Sequence, residues 1–126
     1  MMMISSSAQQ RILVIDDDVG ICKLLARFLG GEGFEVETVH NGEFGIEAVR
    51  SGVHALILLD IVLPGIDGFE VLRRIREQSS VPVILMSGTH EEEANRAIGQ
   101  GGSADGFLSK PFSLSELLER IHASLN

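Results

Sequence analysis

Acidic residues follow two short apolar runs of the sequence at the points where those runs end. Asp16–Asp18 comes directly after Ile12–Ile15, and Asp60 comes directly after Leu56–Leu59. Ligands of open α/β sheets bind at the carboxyl ends of the strands, so these acids converge if the two runs are neighbouring parallel strands. A helix cap at Asp18 beside solvated turn acids explains the first cluster alone equally well. The position of Asp60 favours a shared site.

Three carboxylates gathered at one place require a positive counter-charge. An all-oxygen site with a lysine nearby suits Mg²⁺, which keeps several waters and takes one or two carboxylates. Lys110, just after another apolar run, is the candidate lysine. A carboxyl group with the ordinary pKa of about 3.9 is ionised at neutral pH and can attack phosphorus without a general base. Asp60, helped by Mg²⁺ and Lys110, therefore has the chemistry to form an aspartyl phosphate.

Five strand–helix pairs are predicted to position these residues, because short apolar runs alternate with segments of helical periodicity. In order, the predicted segments are Ile12–Ile15, Val19–Leu29, Phe34–Val39, Phe44–Val49, Ala55–Leu59, Gly68–Gln78, Val81–Met86, Glu91–Gln100, Gly106–Ser109 and Ser113–Leu125. This alternation favours an α/β fold with a parallel sheet and helices on both faces, and right-handed crossovers restrict it to a few doubly wound orders.

Individual residues carry further expectations. Cys22 is predicted at the margin of the first helix, whose apolar positions are Ile21, Leu24, Leu25 and Phe28. Ser113 is predicted to cap the last helix, with Glu116 completing a capping box. Glu91–Glu93 is expected to favour a helix N-terminus. The histidines at 40, 54, 90 and 122 lack metal-ligand spacing and are expected in loops or on the surface.

The composition of the chain limits the classes of function that it can have. The chain has 126 residues, 44% of them hydrophobic, which suits one domain with a core. The formal net charge of −8 argues against binding nucleic acid or anionic membranes. The single cysteine excludes an internal disulfide and favours a cytoplasmic location. No apolar run approaches the roughly 18 residues of a membrane span. Residues 1–10 do not resemble a signal peptide and are expected to form a disordered tail.

Four blocks of the sequence occur in order between Arg11 and Leu125: Ile12–Asp18, Leu58–Gly68, Leu85–Gly88 and Phe107–Phe112. Taken singly, Ser87 is better explained as a strand-end cap, Lys110 as an exposed charge and Phe107 as a core aromatic. Their joint placement reverses that judgement. Together the four blocks resemble the receiver domain of two-component response regulators.

The resemblance implies a doubly wound (βα)5, flavodoxin-like fold with a five-stranded parallel sheet in the order 2-1-3-4-5. It implies that Asp60 accepts a phosphoryl group with the help of Mg²⁺, as a signalling switch that is not a turnover enzyme. The implied Mg²⁺ ligands are Asp16, Asp17, Asp60 and the backbone carbonyl of Val62. The implied switch residues are the Ser87 hydroxyl, the Phe107 ring, and Lys110 with Pro111, whose shared peptide bond is cis.

The same resemblance implies partners. A sensor histidine kinase or a phosphotransfer protein supplies the phosphoryl group, and a downstream effector or output domain responds. The face around the fourth helix, fifth strand and fifth helix meets that partner or a second copy of the chain. Residues 11–126 are expected to form the receiver domain. Because the sequence ends one residue after the last helical pattern, output is expected through protein contact. An origin in a longer regulator or a hybrid kinase stays open.

Two other functions compete with this reading. A haloacid-dehalogenase-like, Mg²⁺-dependent phosphohydrolase also uses an aspartate nucleophile, but it needs a second aspartate where this sequence has Val62. A flavodoxin-like or nucleotide-binding module lacks its glycine-rich motifs here, and the chain has no Trp or Tyr to stack a flavin. One segment departs from the receiver pattern, because Gly101–Gly106 is one residue longer than the usual Gly-Ala-Asp turn.

Overall fold

The computed structural model describes residues 9–88 and 104–125. The strands are β1 (Arg11–Ile15), β2 (Glu35–Val39), β3 (Leu56–Asp60), β4 (Val83–Ser87) and β5 (Gly106–Ser109). The helices are α1 (Val19–Gly31), α2 (Gly42–Val49), α3 (Gly68–Arg76) and the C-terminal helix α4 (Leu114–Leu125). The expectations for residues 1–8, for His90, for Glu91–Glu93, for a helix over Glu91–Gln100 and for the glycines at 101 and 102 lie outside the described residues.

The five strands form one parallel sheet in the order β2-β1-β3-β4-β5. The register pairs Ile12 with both Val36 and Leu56, and pairs Ile84 with Gly106. The middle strands β3 and β4 are buried along their whole length, as expected of strands covered on both faces. This architecture confirms the predicted fold class and strand order.

Alternate residues of each strand pack into two separate hydrophobic cores. Leu13 and Ile15 of β1 face a cluster that includes Val49 of α2 and Val71 of α3. Their neighbours Ile12 and Val14 face a second cluster, which takes Cys22, Leu25 and Leu29 from α1 and Leu117 and Ile121 from α4. Because both faces of β1 and β3 are covered, the residues at the ends of these strands are held at fixed positions.

Short polar side chains begin the helices. Asp18 Oδ1 accepts a hydrogen bond from the Ile21 amide at 3.1 Å, so Asp18 is the cap of α1. Ser113 Oγ accepts from the Glu116 amide at 3.0 Å, which confirms the predicted cap of α4. Asp18 therefore caps α1, and Asp16 and Asp17 are the two acids of this run that are left as candidates for the metal site.

Two expectations about burial were wrong. Cys22 is 1% exposed, whereas Leu24 is 51% exposed, so α1 buries the face of Cys22 rather than that of Leu24. The amphipathic pattern of Phe44–Val49 places Phe44 on the apolar face, but Phe44 is 63% exposed, because α2 buries its glycines instead. The expectation for His54 is met, because it lies in the loop before β3; its side chain is 3% exposed, and its Nε2 lies 2.7 Å from Glu37 Oε1.

A polar clamp joins three elements at the end of the sheet opposite the acids. Asp105 Oδ2 accepts hydrogen bonds from the Val83 amide at 2.9 Å and from Arg76 Nη2 at 3.1 Å. Arg76 Nη1 also donates to the Val81 carbonyl at 2.7 Å. These bonds tie the end of α3 to the beginnings of β4 and β5.

Among the described residues, no helix has the length and apolarity that crossing a bilayer requires.

Gly68 lets α3 begin directly against the end of β3. A Cβ atom at this position would lie 2.5 Å from both the Asp60 carbonyl oxygen and the Ile61 Cα. We expect Gly68→Ala to destabilise the fold by about 3 kcal/mol, since rigid backbone must shift. Gly30→Ala is the control, because its Cβ would meet nothing within 4 Å; it should be neutral or stabilising by up to about 1 kcal/mol. Equal urea midpoints for the two variants would contradict this account.

Candidate phosphoacceptor site

The carboxyl ends of four strands bring the predicted site residues together. Asp16 and Asp17 follow β1, Asp60 ends β3, Ser87 ends β4, and Lys110 follows β5 by one residue. They open onto a cleft of about 460 Å³, lined also by Asp18, Val62 and Gly88. The structure thus unites the two acidic clusters in one cleft, as the sequence predicted.

Lys110 bridges the two buried acids. Its Nζ donates to Asp16 Oδ2 at 2.9 Å and to Asp60 Oδ2 at 3.3 Å. The Asp16 side chain is fully buried and that of Asp60 is 7% exposed, while Lys110 keeps 22% of its side chain exposed. A buried carboxylate requires a partner of opposite charge, and here one ammonium group serves both.

Backbone amides hold the remaining oxygens of the same acids. Asp16 Oδ1 accepts from the Asp18 amide at 2.9 Å, and Asp60 Oδ1 accepts from the Val62 amide at 3.0 Å. Each carboxylate is therefore fixed in orientation by the loop that follows its own strand. A fixed nucleophile and a fixed neighbouring cation are the arrangement that positional catalysis requires.

The charges in this cleft shift two pKa values. Burial and the neighbouring charge of Asp16 raise the pKa of Asp60, and they outweigh the hydrogen bond from Val62 and the charge of Lys110. Burial works to lower the pKa of Lys110, but its hydrogen bonds and charge interactions with Asp16 and Asp60 raise it overall. Lys110 is therefore held in its charged form between the two acids.

The acids fit a small divalent cation. Among the described residues, one group of acidic, histidine or cysteine side chains has the geometry for a metal: Asp16, Asp17 and Asp60, with ligand atoms within 4.8 Å of one another. All their ligand atoms are oxygens, which is the donor set that Mg²⁺ prefers over the nitrogen and sulfur ligands of softer metals. Asp17 is exposed and borders the cleft, so an ion can reach the acids from solvent on the side of Asp17.

The other predicted residues surround this centre. Ser87 is 2% exposed, and its carbonyl accepts from the Lys110 amide at 2.8 Å. Phe107 lies on β5, partly buried against the core of α2 and α3. The Lys110–Pro111 peptide bond is cis.

The sequence did not indicate the role of Cys22 beneath the site. Its Sγ donates to the backbone carbonyl of Asp16 at 3.3 Å. Burial, followed by the charge of Asp16, raises the pKa of this thiol to about 11. Cys22 is therefore an unreactive packing residue that also supports the Asp16 backbone. The Cys22 amide also donates to the Asp18 carbonyl, which places Cys22 one helical turn after the cap of α1.

Comparison with known proteins defines the class of protein that this fold and site represent. Residues 12–122 match the family model of the response regulator receiver domain. The chain belongs to this family, and it is a receiver domain of the two-component response regulators. Neither the family match nor the site favours a haloacid-dehalogenase-like phosphohydrolase.

Two similar proteins are transcriptional regulatory proteins. It is 43% identical over 113 residues to the transcriptional regulatory protein TcrA of Mycobacterium tuberculosis, covering 90% of this chain and 45% of TcrA. It is 40% identical over 120 residues to the transcriptional regulatory protein ResD of Bacillus subtilis, covering 93% of this chain and 48% of ResD. The chain thus spans about half the length of these relatives.

Solved structures agree with this assignment. A two-component response regulator from Clostridium difficile has a TM-score of 0.84 and 31% identity, with 93% of this chain and 96% of that chain covered. The response regulator TrrA of Thermotoga maritima, solved in complex with Mg²⁺-BeF, has a TM-score of 0.82 and 34% identity, with 93% and 100% covered.

Proposed function

We propose that Asp60 is the phosphoacceptor of this receiver domain, with a sensor histidine kinase or a phosphotransfer protein as donor. The observation that carries this proposal is the pairing of Asp60 Oδ2 with Lys110 Nζ inside the acidic cleft. A carboxylate oxygen of Asp60 forms the new bond to phosphorus. The bond from phosphorus to the donor's imidazole nitrogen breaks, and that nitrogen keeps the electron pair. Lys110 stabilises the charge that builds on the phosphoryl oxygens.

We propose Asp17, Asp60 and the backbone carbonyl of Val62 as direct Mg²⁺ ligands, with Asp16 acting largely through water. The three side chains fit the ion by their oxygen donors and their spacing. When bound, Mg²⁺ supplies charge neutralisation to the phosphoryl oxygens. The residues around it hold Asp60 in place and leave Asp17 at the solvent side.

Phosphorylation is proposed to act as a switch rather than as one step of a turnover reaction. Ser87 donates its hydroxyl to the phosphoryl group, and Phe107 changes position in response. The change alters the face formed by β5, α4 and the helix predicted over Glu91–Gln100, which then binds an effector, an output domain or a second copy of the chain. This is a two-state element biased by a local charge.

Acetyl phosphate with Mg²⁺ distinguishes a switch from an enzyme. A switch takes up one stable, acid-labile phosphoryl group at Asp60. A phosphohydrolase releases many equivalents of phosphate for each protein molecule without accumulating label. Release at multiple turnovers comparable to a dedicated phosphatase would overturn the proposal that this domain is not an enzyme.

Lys110→Ala and Ser87→Ala are expected to fail at different stages. Lys110→Ala removes the charge beside Asp60, so uptake of the phosphoryl group should fall by about tenfold or more. Ser87→Ala should still accept phosphate but should no longer transmit the change to Phe107. The measurement is the chemical-shift change around Phe107 on phosphorylation. The full parental change in phosphorylated Ser87→Ala would contradict the switch role, and Ser109→Ala, on the paired position of β5, is the control.

Val62 is expected to limit the lifetime of the aspartyl phosphate. Hydrolysis needs a water in line with phosphorus, and Val62 presents an apolar, 55% exposed side chain at the cleft. Val62→Asn should therefore hasten dephosphorylation several-fold while phosphate uptake stays nearly unchanged. Val53→Asn is the matched control, because Val53 is similarly exposed at 49% but does not border the cleft. Equal or slower decay in Val62→Asn would show that Val62 does not restrict water.

The location and the wider partnership follow from the same proposal. A phosphodonor of this kind and the single, unreactive cysteine both suit the cytoplasm. The net charge of −8 argues against direct contact of this domain with nucleic acid. Residues 11–126 are proposed as the receiver unit, with its output delivered through contact with protein.

A further inference from the structure

One residue of α1 holds two carbonyl groups of the acid turn, Asp16–Asp18. The Sγ of Cys22 donates to the Asp16 carbonyl at 3.3 Å, and the amide of Cys22 donates to the Asp18 carbonyl at 3.0 Å. The two carbonyls lie on either side of Asp17 in the sequence. Cys22 is buried in the same core cluster as Leu25 and Leu29 of α1, so both hydrogen bonds start from a closely packed base.

The carboxylate of Asp17 depends on its own backbone for its position. Within the part of the chain that the structure describes, this carboxylate takes part in no hydrogen bond or ion pair. The carboxylates of Asp16 and Asp60, in contrast, are each held by a backbone amide and by Lys110. The backbone on either side of Asp17 therefore decides where its carboxylate can reach.

We infer that Cys22 is a positioning residue of the metal site, because its thiol fixes the backbone that carries Asp17. The thiol acts through the Asp16 carbonyl and does not touch the ion. The inference rests on the proposed role of Asp17 as a Mg²⁺ ligand. Residues that orient metal ligands from outside the coordination sphere typically change metal affinity by about tenfold to a hundredfold when they are replaced.

The S–H group gives Cys22 a role that apolar packing does not supply. The leucines on the same buried face of α1 contribute apolar volume, whereas a thiol has a hydrogen to donate. Removal of that donor leaves the Asp16 carbonyl without it, and an unpaired buried carbonyl is costly. The backbone of the acid turn then shifts toward another donor or toward water, and Asp17 shifts with it.

A magnesium titration of two thiol-free variants tests the inference. Cys22→Val keeps the site filled and Cys22→Ala avoids added volume, and we expect both to bind Mg²⁺ about tenfold more weakly than the parent. Leu29→Val is the matched control, because it trims a buried side chain on the same face about two turns further along α1; its affinity should stay within about twofold of the parent. Parental affinity in either cysteine variant, or an equal loss in Leu29→Val, would overturn the inference.

Amide hydrogen exchange of the metal-free protein tests the same inference without magnesium. The Asp18 amide donates to Asp16 Oδ1 at 2.9 Å within the acid turn, so its exchange reports how firmly the turn is held. Its exchange should be about fivefold faster in Cys22→Val than in the parent and unchanged in Leu29→Val. Parental exchange in Cys22→Val would overturn the inference.

Phosphorylation at saturating Mg²⁺ separates this role from a defect in the nucleophile. Uptake from acetyl phosphate by Cys22→Val should return to the parental level, because Cys22 acts on the acid turn and not on Asp60. A deficit that persists at saturating Mg²⁺ would overturn the inference. If affinity and exchange respond as expected in a protein that never labels Asp60, the phosphoacceptor proposal fails and the positioning role of Cys22 stands.

Discussion

Asp60→Asn is expected to abolish phosphorylation by acetyl phosphate completely, from one acid-labile group per chain to background. Asn keeps the shape and the hydrogen bond from the Val62 amide at 3.0 Å, but it has no anionic oxygen with which to attack phosphorus. Radiolabel retained after gel filtration measures the effect. Asp18→Asn is the control, because it removes one carboxylate from the same cleft while Asn still caps α1. Label of parental stoichiometry in Asp60→Asn would contradict the assignment.

The same variant should be more stable than the parent at neutral pH. Burial raises the folded-state pKa of Asp60, so the folded state holds its proton to a higher pH than the unfolded chain does. The contribution of Asp60 to the free energy of unfolding is therefore largest below the ordinary aspartate pKa of about 3.9, and it falls as the pH rises above that value. Asn does not ionise, so Asp60→Asn has no such fall in stability. Urea unfolding at a series of pH values should show the advantage of Asp60→Asn growing from acid to neutral pH, and a constant difference would contradict it.

Asp17→Ala is expected to reduce Mg²⁺-dependent phosphorylation by at least about a hundredfold, because charge stabilisation by a bound metal is worth several kcal/mol. Asp17 is the exposed member of the acidic group, and it lies outside the Lys110 bridge. Its removal should leave the fold intact, and relief of carboxylate repulsion should make the variant at least as stable as the parent in the absence of metal. Circular dichroism, thermal unfolding and a magnesium titration measure the three effects.

Two results would contradict the role of Asp17. One is a Mg²⁺ affinity equal to that of the parent, and the other is phosphorylation at the parental rate under limiting Mg²⁺. Glu43→Ala is a suitable control, because it removes an exposed carboxylate near the first turn of α2 without touching the cleft.

The sequence predicted the parallel sheet and the acids at the ends of its strands because the relevant signals are local. Strands buried on both faces require continuous apolar runs, and such runs precede both Asp16 and Asp60. Parallel pairing of β1 with β3 then brings their ends together. The apolar runs alone did not predict that these two strands are neighbours; the resemblance to receiver domains implied it. The position of Lys110 after an apolar run predicted that it lies near the acids. Which carboxylate oxygens it contacts was not predicted, because Lys110 is 94 residues away in sequence from Asp16 and no local pattern fixes such a contact.

Helix faces were predicted less well, because apolar residues were taken as the buried ones. On α2 the buried face is formed by Gly42, Gly45 and Val49, since a Cβ at Gly45 would lie 2.5 Å from Ile15 Cδ1. Close approach of a helix to a sheet requires small residues, so Phe44 is directed to solvent. The contact between Arg76 and Asp105 was not predicted either, because it lies at the amino ends of the strands, where no ligand was expected.

The assignment of Asp60 as the phosphoacceptor is tested most directly by locating the phosphoryl group chemically. The protein is labelled with acetyl phosphate and Mg²⁺, the acyl phosphate is trapped with hydroxylamine, and the modified peptide is identified by mass spectrometry. We expect one hydroxamate, at Asp60 in the peptide that spans β3, and none at Asp16 or Asp17. A hydroxamate at either of those acids, or unmodified Asp60 in a protein that carries stoichiometric label, would contradict it.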